Sequence, residues 1–392
     1  MEPSVAFVSQ GRLYFKRAGE ELREIESAFA NKVIARQQKA AETSGWKSQG
    51  VWGSGGMGMP ELQQQFQQTA PGTHIAFLHV CPGPEPGEIF YVIRMDAIVG
   101  VFKYVIDEDR EIRLLHRDNF FLESISRHRT EDHYAMAVAQ ESGCVRLSTS
   151  KDRIRPTNHV SGGMSVDQLP DWVRDGSQRV VYQSAPVGKN EDGYPIGVGN
   201  YAVELLDIEN GKVETILEDS DQDFLSPKMD ATGNLYFIRR PFKLKDRPSA
   251  SPKDVLKDIV LFPYRLGRTA FYFANFLSTM FSGRPIADSL NIQRMPNRQR
   301  WLTLWGHALD TQKAIDKKTK KPVHAIAPAD WQLVCRNANN EDTVISDRVL
   351  CFDITDDGQV VYSDGTKVFF LKQGKPLEIA KGSIVQQLSV VG

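Results

Sequence analysis

The chain has 392 residues, 41% of them hydrophobic and 25% charged, with 20 Phe, 11 Tyr and 6 Trp. That excludes a globally disordered chain and suffices for one large core or two to three ordinary domains. Lys plus Arg is 48 against 49 Asp plus Glu, a formal net charge of -1, so no whole-chain field favours nucleic acid or acidic lipid.

The opening residues, MEPSVAFVSQGRLYFKR, have no basic stretch followed by a long apolar run. No signal peptide is expected, and a cytoplasmic location is the expectation. Strand grammar starts at once and recurs along the chain in EIFYVIRM, VGVFKYVI, RVVYQSAP, YAVELLDI, NLYFIRR, VLCFDI and VVYSDGTKVFFLKQ. Each run alternates with period two, is rich in β-branched and aromatic residues, and is bounded by Gly or Asp turns.

One pattern repeats: an apolar segment, a small polar turn, then an apolar-aromatic strand. It is strongest in LPDWVRDGSQRVVY (169–182), FLSPKMDATGNLYF (224–237) and CFDITDDGQVVY (351–362). Weaker copies are VAFVSQGRLYF (5–15), FQQTAPGTHIAF (66–77) and ISRHRTEDHYAMA (125–137). Most intervals between turns are about 45 to 60 residues, the size of a four-stranded propeller blade. The long interval after position 233 fits one blade carrying an insertion of about 70 residues. The terminal strand SIVQQLSVV (383–391) is expected to pair with the opening strands and so leave no open edge. The fold expected is therefore all-β: a single β-propeller over 1–392, of six blades, with helical insertions. Five or seven blades stay open because the second and third repeats are degenerate.

The turns in SPKMDATGNLYF, VRDGSQRVVY and ITDDGQVVYSDG resemble those between the first two blade strands of TolB-like and WD40-like propellers. The resemblance covers most of the chain outside roughly 27–65 and 241–325. No Trp-Asp dipeptide or Gly-His signature recurs. What the resemblance implies is a scaffold for protein partners, although related propellers also hold enzyme sites or regulate an attached hydrolase.

Two insertions depart from the repeat. In 27–65, SAFANKVIARQQKAAE reads as a short helix with Phe29, Val33 and Ile34 on a shared side. It is followed by KSQGVWGSGGMGMP, with five glycines in fourteen positions. This segment offers Trp46, Trp52, Met57 and Met59 to a partner, or tucks them against the ring. In 241–325, Ser251 and Pro252 start a helix, Pro263 breaks it, and a second helix runs through YRLGRTAFYFANFLSTMF. Residues 251–300 hold eight Lys and Arg against three Asp, a net +5. Arg265 and Arg268 flank Phe271, Tyr272 and Phe276. Three readings stay open for this lobe: a partner-binding surface, a hairpin packed on the ring, or a membrane-surface anchor. Its apolar run of 13 residues, 269–281, is too short to span a bilayer. Beyond it, Trp301, Leu304 and Leu309 are expected around a turn of helix. Trp301 and Trp305 are read as candidates for binding or for seating the insertion. KKTKK at 317–321 reads as a solvated turn, and ADWQLVCR as the return to the interrupted blade.

The four cysteines, at 81, 144, 335 and 351, contain no CxxC pair, which excludes a zinc ribbon or disulfide scaffold and predicts buried thiols. Ideal alternation puts His74 and His79 on opposite strand faces. His128, Asp132 and His133 read as a solvated turn before they read as a metal site, since zinc wants three or four convergent ligands. DSDQDF (219–224) and DITDDG (353–358) lack the EF-hand pattern. There is no GxSxG elbow, phosphate loop, Rossmann or HExxH motif. No catalytic residue, metal ligand or cofactor is assigned. The function expected is a non-catalytic interaction scaffold with a protein partner on the insertion-bearing face and no nucleic acid. A channel enzyme with a polar or metal-assisted site, and a peripheral membrane adaptor, are the alternatives.

Overall fold

The computed structural model describes residues 2–36, 39, 75–95, 98–118, 120–140, 142–156, 158–189, 195–242, 301–304, 307–310 and 325–391. They are mostly β. The first strands are β1 (Ser4–Ser9), β2 (Arg12–Lys16) and β3 (Arg23–Ile25). A four-stranded sheet follows from β4 (Ile75–Pro82), β5 (Glu88–Met95), β6 (Ile98–Val105) and β7 (Arg110–Asp118). Next come β8 (Leu122–Arg127), β9 (His133–Ala139) and β10 (Val145–Lys151), then β11 (Ser165–Trp172), β12 (Arg179–Lys189), β13 (Pro195–Val198), β14 (Ala202–Asp207) and β15 (Lys212–Leu217). These two groups are antiparallel within themselves and joined by one parallel pair, Val145 with Val166.

The chain continues with β16 (Gln222–Met229) and β17 (Leu235–Pro241), a hairpin of β18 (Trp301–Leu304) and β19 (His307–Asp310), then β20 (Gln332–Arg336) and β21 (Asp342–Asp347). Sheet order is β16-β17-β20-β21, so ADWQLVCR does rejoin the interrupted sheet. The last sheet in sequence is β22 (Cys351–Ile354), β23 (Val360–Ser363), β24 (Lys367–Lys372) and β25 (Lys375–Lys381). β26 (Val385–Val391) pairs antiparallel with β1, giving the order β26-β1-β2-β3.

Sequence pattern and burial agree within each sheet. Second strands such as β5 (EIFYVIRM) and β9 (HYAMAVA) are apolar almost throughout and buried on both faces. They lie between neighbouring sheets, so they read as continuous apolar runs. Last strands such as β7 (REIRLLHRD) are largely exposed and charged, which protects an edge from pairing with other chains. The core sits between sheets: Ala6, Leu13 and Phe15 of the first pack with Tyr91, Ile93 and Phe102 of the next. The innermost strands lie against one another in the order β26, β4, β8, β11, β16 and β22, and β22 lies against β26.

The strong repeats are seated as the pattern predicts. Gly176, Gly233 and Gly358 adopt φ of 79°, 86° and 76° in turns between the first two strands of their sheets, a backbone region that costs glycine little. Asp230 Oδ1 accepts from the backbone N–H groups of Thr232 and Asn234, both at 2.9 Å, as an Asx turn requires.

Three expectations are corrected. Residues 75–82 form the first strand of their sheet, not the strand after a turn; the turn is at 83–87, with Gly87 at φ 78°. The Gln10–Gly11 turn joins second and third strands, because β26 takes the first place. Residues 301–310 form an antiparallel hairpin with Leu304 opposite His307, not a turn of helix; Trp301 and Thr303 suit a strand and Gly306 lowers helix propensity.

Helix 28–36 is present, capped by Ser27 Oγ accepting from Ala30 N–H at 3.2 Å, with Phe29 and Val33 against the β4–β7 sheet. Of the two insertions, 40–65, 243–300 and 311–324 lie outside the described residues.

Candidate functional site

Where the innermost strands meet, a cavity of about 360 Å³ opens. Its lining is set by a shared irregularity. Four of those strands carry extra residues relative to their neighbours: Leu78 in β4, Glu123 in β8, Leu169-Pro170 in β11 and Ser226-Pro227 in β16. At the β1–β26 pairing Gln386 is likewise extra. All of these line the cavity. A bulge bends its strand and re-aims the next side chain. Leu169 and Ser226, each before a proline, are held at φ 50° and 52°, a left-handed conformation that costs non-glycine residues about 1 kcal/mol or more. The Ser226 N–H is satisfied by Gln183 Oε1 at 2.8 Å. The side chains brought round by the proline bulges are Asp171 and Lys228.

These two residues belong to an ion network. Lys228 Nζ lies 3.5 Å from Asp171 Oδ1 and 3.2 Å from Asp353 Oδ1. Arg174 Nη2 donates to Asp353 at 3.0 Å, and Arg174 also donates to the carbonyls of Ile354 and Thr355. Asp353 accepts further from the N–H groups of Ile354 and Val390, both at 2.8 Å. It thus ties β22 to β26, to β16 and to the end of β11. Arg129 pairs with Asp356, and Arg127 with Asp132 at 2.9 Å. On another side of the cavity Glu123 faces Arg94 and accepts from Gln168 Nε2 at 2.7 Å. Gln387 exchanges two bonds with the Val80 backbone, at 2.7 and 3.0 Å. Its amide stands in for a ladder pair between β26 and β4.

Most of these groups keep one protonation state near neutrality. Burial pushes His79 down to about 3, with Lys228 adding to the effect, so the imidazole is neutral. Burial pushes the Cys81 thiol up to about 12. Burial alone would raise Asp353, but the Lys228 and Arg174 cations and two backbone N–H groups outweigh it and hold it at about 2. Lys228 is raised, because Asp171 and Asp353 outweigh its desolvation. Only Glu123, pushed up to about 7 by burial, is poised near neutral pH. A general acid or base works best with a pKa near the operating pH, a condition that Glu123 alone of these groups meets.

Trp46, Trp52, Met57, Met59, Arg265, Arg268, Phe271, Tyr272, Phe276 and Trp305 lie outside the described residues. Trp301 opens β18, opposite Asp310. The histidines of RHRTEDH are not in a solvated turn. His128 and His133 are buried against Trp172, with ring centroids at 4.9 and 4.6 Å. His133 Nδ1 is 2.6 Å from Gln178 Oε1, and Asp132 is taken by Arg127. Among the described residues no group of three or more His, Cys, Asp or Glu could hold a metal. The acidic run 219–224 places Asp223 in a buried pair with Arg240 at 2.9 Å, and that guanidinium stacks on Trp331. All four cysteines are free, and three are buried. No helix among the described residues is long and apolar enough to cross a membrane.

No family model and no curated protein matches the chain. Among solved structures it resembles TolB-like β-propellers. To TolB from Acinetobacter baumannii it is 10% identical with a TM-score of 0.49, covering 99% of this chain and 66% of that one. To a chain of the nidogen/laminin complex it is 7% identical at 0.49, covering 100% and 99%. To the tricorn protease it is 12% identical at 0.45, covering 96% and 33%. Likeness at this level says nothing about activity, so function has to be argued from this chain's own residues.

Proposed function

We propose that the chain is a six-bladed β-propeller serving as a non-catalytic interaction scaffold, with its protein partner on the insertion-bearing face. What supports six blades is the series of six innermost strands, each against the next, with β26 and β1 completing one sheet from distant parts of the sequence.

The observation carrying the functional reading is that both insertions leave from one face. In an antiparallel sheet, the connection between second and third strands and the one leaving the last strand lie at the same end. The first insertion leaves β3, whose Ile25 pairs near the start of β2, and returns at Ile75 of β4. The second leaves β17 at Pro241, which pairs with Gln222 at the start of β16. The Phe77 N–H donates to Gly11 O at 2.9 Å, placing the start of β4 beside the end of β1. The opposite face carries short turns such as those at Gly176, Gly233 and Gly358. Two long segments rich in Trp, Met, Phe and Arg, departing from one rim, suit a partner surface of aromatic anchors in a charged surround. Arg265, Arg268, Phe271, Tyr272 and Phe276 are the residues proposed to make it.

Replacing 243–324 with a short Gly-Ser linker tests this. The ring should stay folded by circular dichroism, and a partner captured from lysate by the full chain should be lost. A full-chain partner retained by the deletion variant would overturn the assignment.

A further inference from the structure

Among the described residues four buried side-chain polar atoms have no hydrogen-bond partner: His79 Nδ1, Ser124 Oγ, Asp171 Oδ2 and Arg146 Nε. Three of the four belong to residues lining the one cavity where the innermost strands meet. Ser124 is only 2% exposed. Leaving a buried polar group unmet is costly, and native proteins rarely tolerate several together. A shared, unmet set of donors and acceptors around one space points to an occupant that supplies the counterparts.

The charges say what kind. Five cations line the cavity, and each faces a carboxylate: Arg94 with Glu123, Arg127 with Asp132, Arg129 with Asp356, Arg174 with Asp353, and Lys228 with Asp171. Each cation has its own partner, although Asp132 and Asp356, which serve Arg127 and Arg129, stand off the cavity wall. An anion would find only cations that are already paired, and a metal ion would find no surplus carboxylate or convergent ligand set. What remains unmet is hydrogen bonding of both senses. Asp171 Oδ2 needs a donor, the Ser124 hydroxyl offers and accepts, the neutral His79 ring presents a nitrogen, and Lys228 has a third N–H beyond its two carboxylates. Hydroxyl groups, each donor and acceptor at once, match that set. The volume, about 360 Å³, lies in the lower part of the range of roughly 300–1,000 Å³ for small-molecule sites.

We propose that the central cavity binds a neutral polyhydroxyl compound of monosaccharide size, held by Ser124, Asp171, His79 and Lys228. This site is independent of the insertion face, and the outcome of the pull-down does not bear on it.

The test is calorimetric titration of the full chain with D-glucose, D-mannose and myo-inositol, alongside D-glucuronate, inorganic phosphate and Mg2+. At least one neutral probe should bind and raise Tm, with the charged probes silent. Ser124→Ala should weaken that binding about three- to tenfold, and Asp171→Asn about tenfold or more. Without probe, Ser124→Ala should match or exceed the Tm of the parent, because it removes a buried hydroxyl that has no partner to lose. The proposal fails if no neutral probe binds, which is the result of a cavity filled by an ordered water network only. It also fails if only a charged probe binds, or if Ser124→Ala binds the neutral probe as the parent does.

Discussion

Asp353→Asn is the most exacting perturbation of the fold. Asp353 is 3% exposed and is the anion shared by Lys228 and Arg174, which reach it from β16 and from the end of β11. The amide is nearly isosteric but cannot neutralise either cation. Breaking a buried ion pair from one side costs about 3–5 kcal/mol. Linkage gives an independent figure. Displacement of the carboxyl from 3.8 to about 2, at about 1.4 kcal/mol per pH unit, corresponds to about 2.5 kcal/mol. Because the folded value is depressed, this stability is present above the ordinary value and is lost as pH falls from about 4 towards 2. The assay is urea unfolding of parent and variant at neutral pH and at steps down to about pH 2. The parent should exceed the variant by about 2.5 to 5 kcal/mol near pH 7, with the gap closing across that acid window. A gap below about 0.5 kcal/mol at neutral pH, or one that stays constant down to pH 2, would refute the account of Asp353 as a charged staple between sheets.

Glu123 carries the opposite sign. Its folded value is raised by burial to about 7, so ionising it as pH rises through 4.5 to 7 destabilises the fold. Glu123→Gln should be about 1–3 kcal/mol more stable than the parent near pH 8, discounted for partial exposure, and equal to it near pH 4 by urea unfolding. Trp172→Ala removes a buried ring that contacts His128 and His133 and donates from Nε1 to Ser126 O at 3.2 Å; a loss of about 3–5 kcal/mol in the same assay is expected. The Cys81 thiol, pushed up to about 12, should alkylate with iodoacetamide at pH 8 only on unfolding; rapid labelling of the native chain at Cys81 would contradict its burial.

The architecture was legible where turn chemistry is local. The Asp and Gly of VRDGSQ, MDATGN and ITDDGQ fix their own backbone within a few residues, so spacing alone located those turns. The second sheet was misphased because its turn is built from the proline-rich CPGPEPGE, which does not share the repeat's Asp-Gly form. The 301–310 hairpin was missed because a short apolar run does not distinguish strand from helix.

The cavity was hidden for a geometric reason. The polar lining is divided among all the innermost strands, and in most of them a bulge shifts the parity on which alternation depends. Leu78 opposes no residue of β5, so counting by twos along β4 fails at that point. The signal that did exist was Leu169-Pro170-Asp171 and Ser226-Pro227-Lys228, two proline bulges at matching places in adjacent repeats. They stand at the start of the repeats, just ahead of the Asp-Gly turns. Similarly, nothing local in RHRTEDH announces that both histidines lie under Trp172, which is 39 positions from His133.

The pairing of β26 with β1 also sets a clock. Ser4 meets Val391, 387 positions later, so β1 cannot gain its inner neighbour until nearly the whole chain exists. At synthesis rates of about 5–20 residues per second, that is roughly 20–80 seconds during which one side of β1 is an unmet strand edge. Over that interval the nascent chain carries an open edge that the folded chain does not.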